Sequence, residues 1–436
     1  MTDRTRVSHL LRRLTFGPTA AEVDAAVRAG HDATLRTLLT PAAPVPGPDL
    51  GPTGDKQAGD KQAGDKQAGD KQAGDMQAGD MQAGDKQEAK KQRRDQVTMA
   101  TRWWLERLAT GGAAEKLTFF WHGHWATSVR KVRSAPLMLG QLATFRRYGH
   151  GDTGPLVRAM LRDPALILWL DGQKNTRKAP NENLARELME LFTLGIGAYR
   201  EDDVKAGARV LTGWQVDRAA GVARLAPKRH DGRPVTLLGH TGTLDVDGYA
   251  DLLVRHPAHL PFLVRRLWIR YGAGTAPSAA ATARIAAAGR DTTALLTALC
   301  TDPEFPATSG TLVKQPVEWL LGAVRQLGVP VPEQAVGVLR GLGQVPLRPP
   351  SVGGWPVDRA WLTTSATVVR LRAAQRLVAA APAAVERVAR GDRLEALANL
   401  LVVDRWSDRT AAVLRDVTDP KRLLALGLAS PEYTVH

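Results

Sequence analysis

Two stretches of this 436-residue chain hold side chains that can do chemistry at close quarters. The first is Trp121-His122-Gly123-His124-Trp125. Imidazoles two residues apart converge on one cation when the backbone is extended, but on a helix, at about 100° per residue, they point roughly 200° apart. The preceding residues 113–120 read as helix, so at most one of the two reaches a given site. By helical angle His124 joins Leu117, Phe120 and Trp121 on the bulkiest face, while His122 lies beside Phe119 and Ala126. Each also has a plainer reading, a core histidine satisfied by a carbonyl or carboxylate.

The second stretch, residues 180–197, reads as one complete helix. Asn181 follows Pro180 as N-cap, and Gly195 stands where a left-handed residue ends a helix. Leu184, Leu188, Met189, Leu191 and Phe192 fill one arc. Glu182, Asn183, Arg186, Glu187, Glu190 and Thr193 fill the other. Glu187 and Glu190 are neighbours at i,i+3, a like-charge pairing that costs a few tenths of a kcal/mol unless a cation lies between them. With Asn183 they form a line at i, i+4, i+7 that suits a hard cation or a His–carboxylate network. The plainer reading is a solvated face held by a Glu182–Arg186 pair. His230-Asp231, in an irregular loop, is a third arm. The candidate ligands for a divalent metal are therefore His122, His124, Glu187, Glu190 and His230. In that reading, or in a metal-free acid–base network, Glu187 or Glu190 is the general base and Arg186 positions an anionic substrate group, with Asp171, Asn175 and Asn183 in support.

The elements that must position these residues are helices. Helical periodicity runs from about residue 88 to the end, and the alternation of strand and helix that a parallel sheet requires is missing, so the class is mainly α. Residues 214–243 break at glycines and alternate, which predicts a small β-hairpin or irregular insertion. Residues 1–45 form an N-terminal helical segment packing on the main domain. Residues 46–92 are a low-complexity linker, expected to be disordered, in which Gly-Asp-Lys/Met-Gln-Ala repeats without a bulky apolar residue. Residues 93–436 form the main helical domain, with two subdomains expected to meet near residue 275.

Composition removes several function classes. The one cysteine, Cys300, excludes an intrachain disulfide or a thiolate zinc cluster. No dinucleotide fingerprint, Walker loop, nucleophile elbow or HExxH occurs. The net charge of +15 could attract nucleic acid, anionic lipid or acidic partners, but Lys90–Arg94 is the densest basic run and carries no interleaved aromatics, which favours charge spread over many solvated helix faces. The first residues lack an apolar signal core and no stretch is long enough to span a membrane, so a cytoplasmic protein is expected.

The segments HLLRRLTFGPT, FWHGHWATS, WLDGQKNTRKAPNENLARELMELFTLGIG, EDDVKAGARVLTGW, RHDGRPVTLLG, LVKQPVEWLLG and PPSVGGWPVDRAWL, in this order, resemble the blocks of a bacterial family catalogued as Domain of Unknown Function 1800. The likeness runs from about residue 7 to beyond residue 375. It implies a mainly helical protein of unassigned biochemistry, often exported and often encoded beside a sulfatase-like partner. The start of this chain departs from the exported pattern, and the pentapeptide repeat looks like its own insertion. Three readings of function remain: a hydrolytic enzyme built on the His/Glu set, a non-catalytic scaffold with a buried polar network that docks an acidic partner, and, least favoured, a nucleic-acid binder.

Overall fold

Local end signals divide the chain into helices as the sequence directs. Thr19 and Glu22 form a reciprocal capping box; Asp163, Ser278, Asp291 and Ser430 each accept a hydrogen bond from the first turn that follows; and left-handed Gly328 closes the Pro316–Leu327 helix. The computed structural model describes residues 2–43, 45–51 and 75–436. Among these, 23 α-helices and two separate antiparallel hairpins make the protein mainly α. The insertion expected over 214–243 is both hairpins: Trp214–Asp217 pairs with Val222–Leu225, and Val235–Leu237 with His240–Gly242. No helix among the described residues is long and apolar enough to cross a membrane.

One cluster of buried apolar side chains runs from Leu10 to Tyr433 and includes residues on both sides of position 275. The N-terminal helix Asp3–Leu14 joins this core through Leu10 and Leu14, while its Val7 and Leu11 form a second buried cluster with Val23, Ala26 and Val402. Its exit is fixed by a close approach. Gly17 has φ +101°, and a Cβ there would lie 2.5 Å from the Cα of Gly322 in the Pro316–Leu327 helix, so only glycine allows the contact.

The helix that carries Trp103 and Trp104 spans Asp75–Thr110, so the last repeats and residues up to 92 are helical, while residues 52–74 lie outside the described residues. Glycine every fifth position disfavours starting a helix, but extending one already anchored by buried Val97, Ala100, Trp104 and Leu108 fixes only one further residue per hydrogen bond.

Candidate functional site

The Gly112–His124 helix is buried almost throughout its second half, and its two imidazoles leave on different sides. His122 is fully buried. Its Nε2 accepts the backbone N–H of Leu347 at 3.2 Å, which leaves the proton on Nδ1. The ring meets Trp104 and Trp355 edge-on, at 5.1 and 5.3 Å between centroids. Burial pulls its pKa down to about 3, so it is neutral. His122 therefore secures the chain leading into the PPSVGGWP loop. At the same place Gly354, with φ +87°, lies so close to Gly123 that a Cβ would meet the Gly123 carbonyl oxygen. Gly354→Ala should lower stability by about 1–3 kcal/mol, read as a drop in denaturant midpoint at unchanged slope; an unchanged midpoint would remove this account of the loop.

His124 faces the helix at 183–193 from the side it shares with Phe120 and Trp121, and it meets backbone and not carboxylate. Residues Asn183–Glu187 are α-helical and Leu188–Thr193 form a π-helix, in which Leu194 N and Gly195 N both donate to the carbonyl of Met189. The wider turn leaves the carbonyls of Phe192 and Thr193 to outside donors. His124 Nε2 donates to Phe192 O at 2.9 Å, and His259 Nδ1 donates to Thr193 O at 3.0 Å. The second nitrogen of each ring is also engaged: Arg266 Nε–H approaches His124 Nδ1 at 3.4 Å, and Thr153 Oγ1 lies 3.1 Å from His259 Nε2. Burial first, then Arg266, holds the His124 pKa well below its usual value.

The acidic residues lie on the outer side of that helix. Arg186 is engaged by Glu201, at 2.6 and 2.9 Å, and by Glu182 at 3.1 Å. Glu190 accepts the Tyr199 hydroxyl at 2.8 Å. Burial and then the charge of Glu190 raise the Glu187 carboxyl above its ordinary pKa, with Arg186 opposing. Neither histidine contributes to that shift. Gly195 is left-handed at φ +87° as expected, whereas Thr193, expected on the polar arc, is fully buried and donates to Leu188 O, five residues back.

The remaining candidates are joints in the fold. His230 Nδ1 lies 3.0 Å from Thr212 O, and its neighbour Asp231 is held well below the usual carboxylate range by Arg233 and Arg209. Asn175 is buried and ties Ala208 to Asn181; Asp171 pairs with Lys131 and Lys174; Asn183 donates to Leu170 O. Among the described residues, no group of three or more His, Cys, Asp and Glu could hold a metal ion. The ligand set His122, His124, Glu187, Glu190 and His230 is not brought together. His122 Nε2 is taken by the Leu347 N–H while its Nδ1 is buried without a partner, and both nitrogens of His124 are directed at the Phe192 carbonyl and the Arg266 guanidinium.

The model of a family described as "Protein of unknown function (DUF1800)" matches residues 9–435. The chain belongs to that family. No curated protein and no solved structure matches it.

Around the Gly112–His124 helix lies a centre that the sequence reading missed; Arg12, Arg13, Lys314 and Glu318 fall within the segments that resemble the family, and Lys116 and Arg270 outside them. Lys116 Nζ lies 2.7 Å from Glu318 Oε1, and Arg270 Nη1 lies 3.0 Å from the same oxygen; exposures are 0, 3 and 8 % for Lys116, Glu318 and Arg270. Lys116 also donates to the carbonyls of Arg12 and Thr15, capping the end of the Asp3–Leu14 helix with a cation. Arg13 stands behind them, fully buried, with Thr308 O as its acceptor, and Lys314 sits 3.7 Å above the Tyr433 ring. Burial, opposed by Glu318, lowers the Lys116 ammonium to about 7, and burial would raise Glu318 were it not held well below its usual range by Arg270 and Lys116. A signal existed. Lys116 shares a helical face with Phe119 and Phe120, and Glu318 sits between Val317 and Trp319, so charges interrupt apolar runs.

Next to this network a cavity of about 70 Å3 opens between three elements. The Gly112–His124 helix contributes Phe119, Phe120 and His124, the His259–Tyr271 helix contributes Arg266 and Arg270, and Trp355 comes from the glycine-rich loop. Trp355 stacks on Phe119 at 5.4 Å and 15°.

Proposed function

We infer that this protein works by binding, as a helical scaffold that docks a partner, and not as a metal-dependent hydrolase. The observation that carries this reading is the engagement of His122 and His124. Each imidazole joins distant chain segments through backbone groups, and Lys116, Glu318 and Arg270 form a buried charged network beside them. Such a network fixes one packing of the surrounding helices, because any other packing would bury a charge without its partner. The net charge of +15 favours an acidic partner. A sulfatase-like protein is the partner the family resemblance implies.

A hydrolytic reading of the acidic ridge keeps one supporting observation. Burial and Glu190 raise the Glu187 pKa, and Glu190 in turn accepts the Tyr199 hydroxyl, an environment that shifts a carboxyl towards acid–base work. Metal analysis of protein purified without chelator, with melting curves of wild type and Glu187→Gln in added Mg2+, Mn2+ or Zn2+, separates the two. The scaffold reading expects no stoichiometric metal and no cation-dependent shift. It also expects a Glu187→Gln protein within about 0.5 kcal/mol of wild type, since removing one of two like charges relieves a small repulsion. One metal per chain, lost in Glu187→Gln, would establish the hydrolase-type site instead.

A further inference from the structure

The cavity between Phe119, Arg266 and Trp355 is lined by donors without matching acids. Arg270 is 8 % exposed, and its Nε and Nη2 are buried with no hydrogen-bond partner in the protein. Its Nη1 alone meets Glu318. Arg266 gives Nε–H to His124 and has no carboxylate partner among the described residues. Gln315, also on the wall, has its carbonyl oxygen engaged by Gln344 Nε2 at 2.7 Å, which leaves its amide N–H groups as donors. Two guanidinium groups and an amide thus border one space, and no Asp or Glu side chain lines it.

Burying guanidinium donors without acceptors costs free energy unless a ligand supplies the acceptors. A species that only accepts, with two or more oxygens in a plane or tetrahedron, matches the arginine fork. The charge behind the wall points the same way: Arg13, Lys116 and Arg270 all act on the buried carboxylate of Glu318, while Arg12 has its own partner in Asp404. Cations in excess of acids in a low-dielectric region create a positive potential that a small anion neutralises. A volume of about 70 Å3 is several water sizes, enough for an oxyanion head group. Phe119, Phe120 and Trp355 would then flank whatever apolar body carries it.

We propose that this cavity binds the oxyanion group of a small ligand, a carboxylate or a phosphate, held between Arg266, Arg270 and the Gln315 amide. The site is separate from the acidic ridge, and the proposal stands whether or not the scaffold reading holds.

Titration calorimetry and thermal shift of the full-length protein test it, with sodium phosphate and sodium benzoate as probes and sodium chloride at matched ionic strength as control. At least one probe should bind saturably in the millimolar range or tighter and raise the melting temperature beyond chloride. Arg266→Gln should weaken that binding by about tenfold or more, the loss of one charge-assisted hydrogen-bonding group. If Arg266→Gln does not fold, Gln315→Glu replaces the amide by a carboxylate of the same shape and should abolish binding by repulsion. A preference for phosphate would identify a tetrahedral head group, and one for benzoate a carboxylate on an apolar body; either supports the site. Equal response to all three salts, or undiminished binding in a folded Arg266→Gln or Gln315→Glu protein, overturns it.

Discussion

Stability should fall steeply as pH drops below 6.5, well before the carboxylates of the protein are titrated. Five histidines are buried and held neutral. Burial, with Arg13 and Arg12, lowers His9 to about 2; burial lowers His122 to about 3 and His259 to about 4; His124 and His436 are held well below their usual value by burial first. In the unfolded chain each titrates near 6.5. Below that pH the unfolded state takes up protons that the folded state refuses, and each histidine removes about 1.4 kcal/mol of stability per pH unit until its folded pKa is reached. Asp163 works in the opposite direction. Burial raises its carboxyl to about 7, so its contribution is fully present below the unfolded pKa of about 4 and is lost as pH rises towards 7. The histidines outnumber it, and a net slope of several kcal/mol per unit exhausts a stability of about 5–15 kcal/mol within two or three units. Urea midpoints at pH 7.5, 6.5, 5.5 and 4.5 should decline with increasing slope, with acid unfolding between about pH 5 and 4. A midpoint flat from pH 7 to 4.5 would mean that these histidines are not buried neutral.

Glu318→Gln should be the most damaging conservative change in the molecule. The substitution keeps the shape but replaces one accepting oxygen by a donating amide, and it removes the counter-charge from Lys116 and Arg270, both buried and both directed at Oε1. Breaking a buried ion pair by removing one partner costs about 3–5 kcal/mol, and here one carboxylate serves two cations with Arg13 nearby. Lys116 would respond by releasing its proton, since burial already lowers it to about 7 and Glu318 is what opposes that shift. Glu318→Gln combined with Lys116→Met should recover part of the loss, because the two residues act as a unit. Met keeps an apolar stem of similar length, although the bonds from Lys116 to the carbonyls of Arg12 and Thr15 are not replaced. Denaturant unfolding of the four proteins gives the coupling energy. A Glu318→Gln protein within 1 kcal/mol of wild type, or strict additivity, would show the network to be energetically incidental.

The two engaged histidines and the acidic ridge illustrate how far helical angle alone can be taken. Stepping about 100° per residue separates His122 from His124, and places His124 with Phe120 and Trp121, where the rings do meet at 5.7 and 5.5 Å. The same step puts Leu188, Met189 and Phe192 in the core as observed but fails at Thr193. The π-helix there widens the turn, which brings Thr193 into the core and presents the Phe192 and Thr193 carbonyls to imidazole donors. Residues 188–193 show no proline or glycine, so nothing in their composition announces the wider turn.

The sequence by itself determined the mainly helical class, the insertion over 214–243, the left-handed Gly195 and the family to which the chain belongs. These follow from periodicity, capping residues, glycine placement and long ordered blocks, all of which are local or cumulative along the chain. Only the tertiary structure decided which charges meet. Lys116 and Glu318 are 202 positions apart, and His122 and Leu347 are 225 positions apart. A helical wheel gives the direction in which a side chain leaves its own helix but not what stands opposite. The same direction from the Gly112–His124 helix could have met a carboxylate, a metal or a carbonyl, and the packing of the Asp3–Leu14, His259–Tyr271 and Pro316–Leu327 helices around it selected guanidinium groups, an ammonium and backbone.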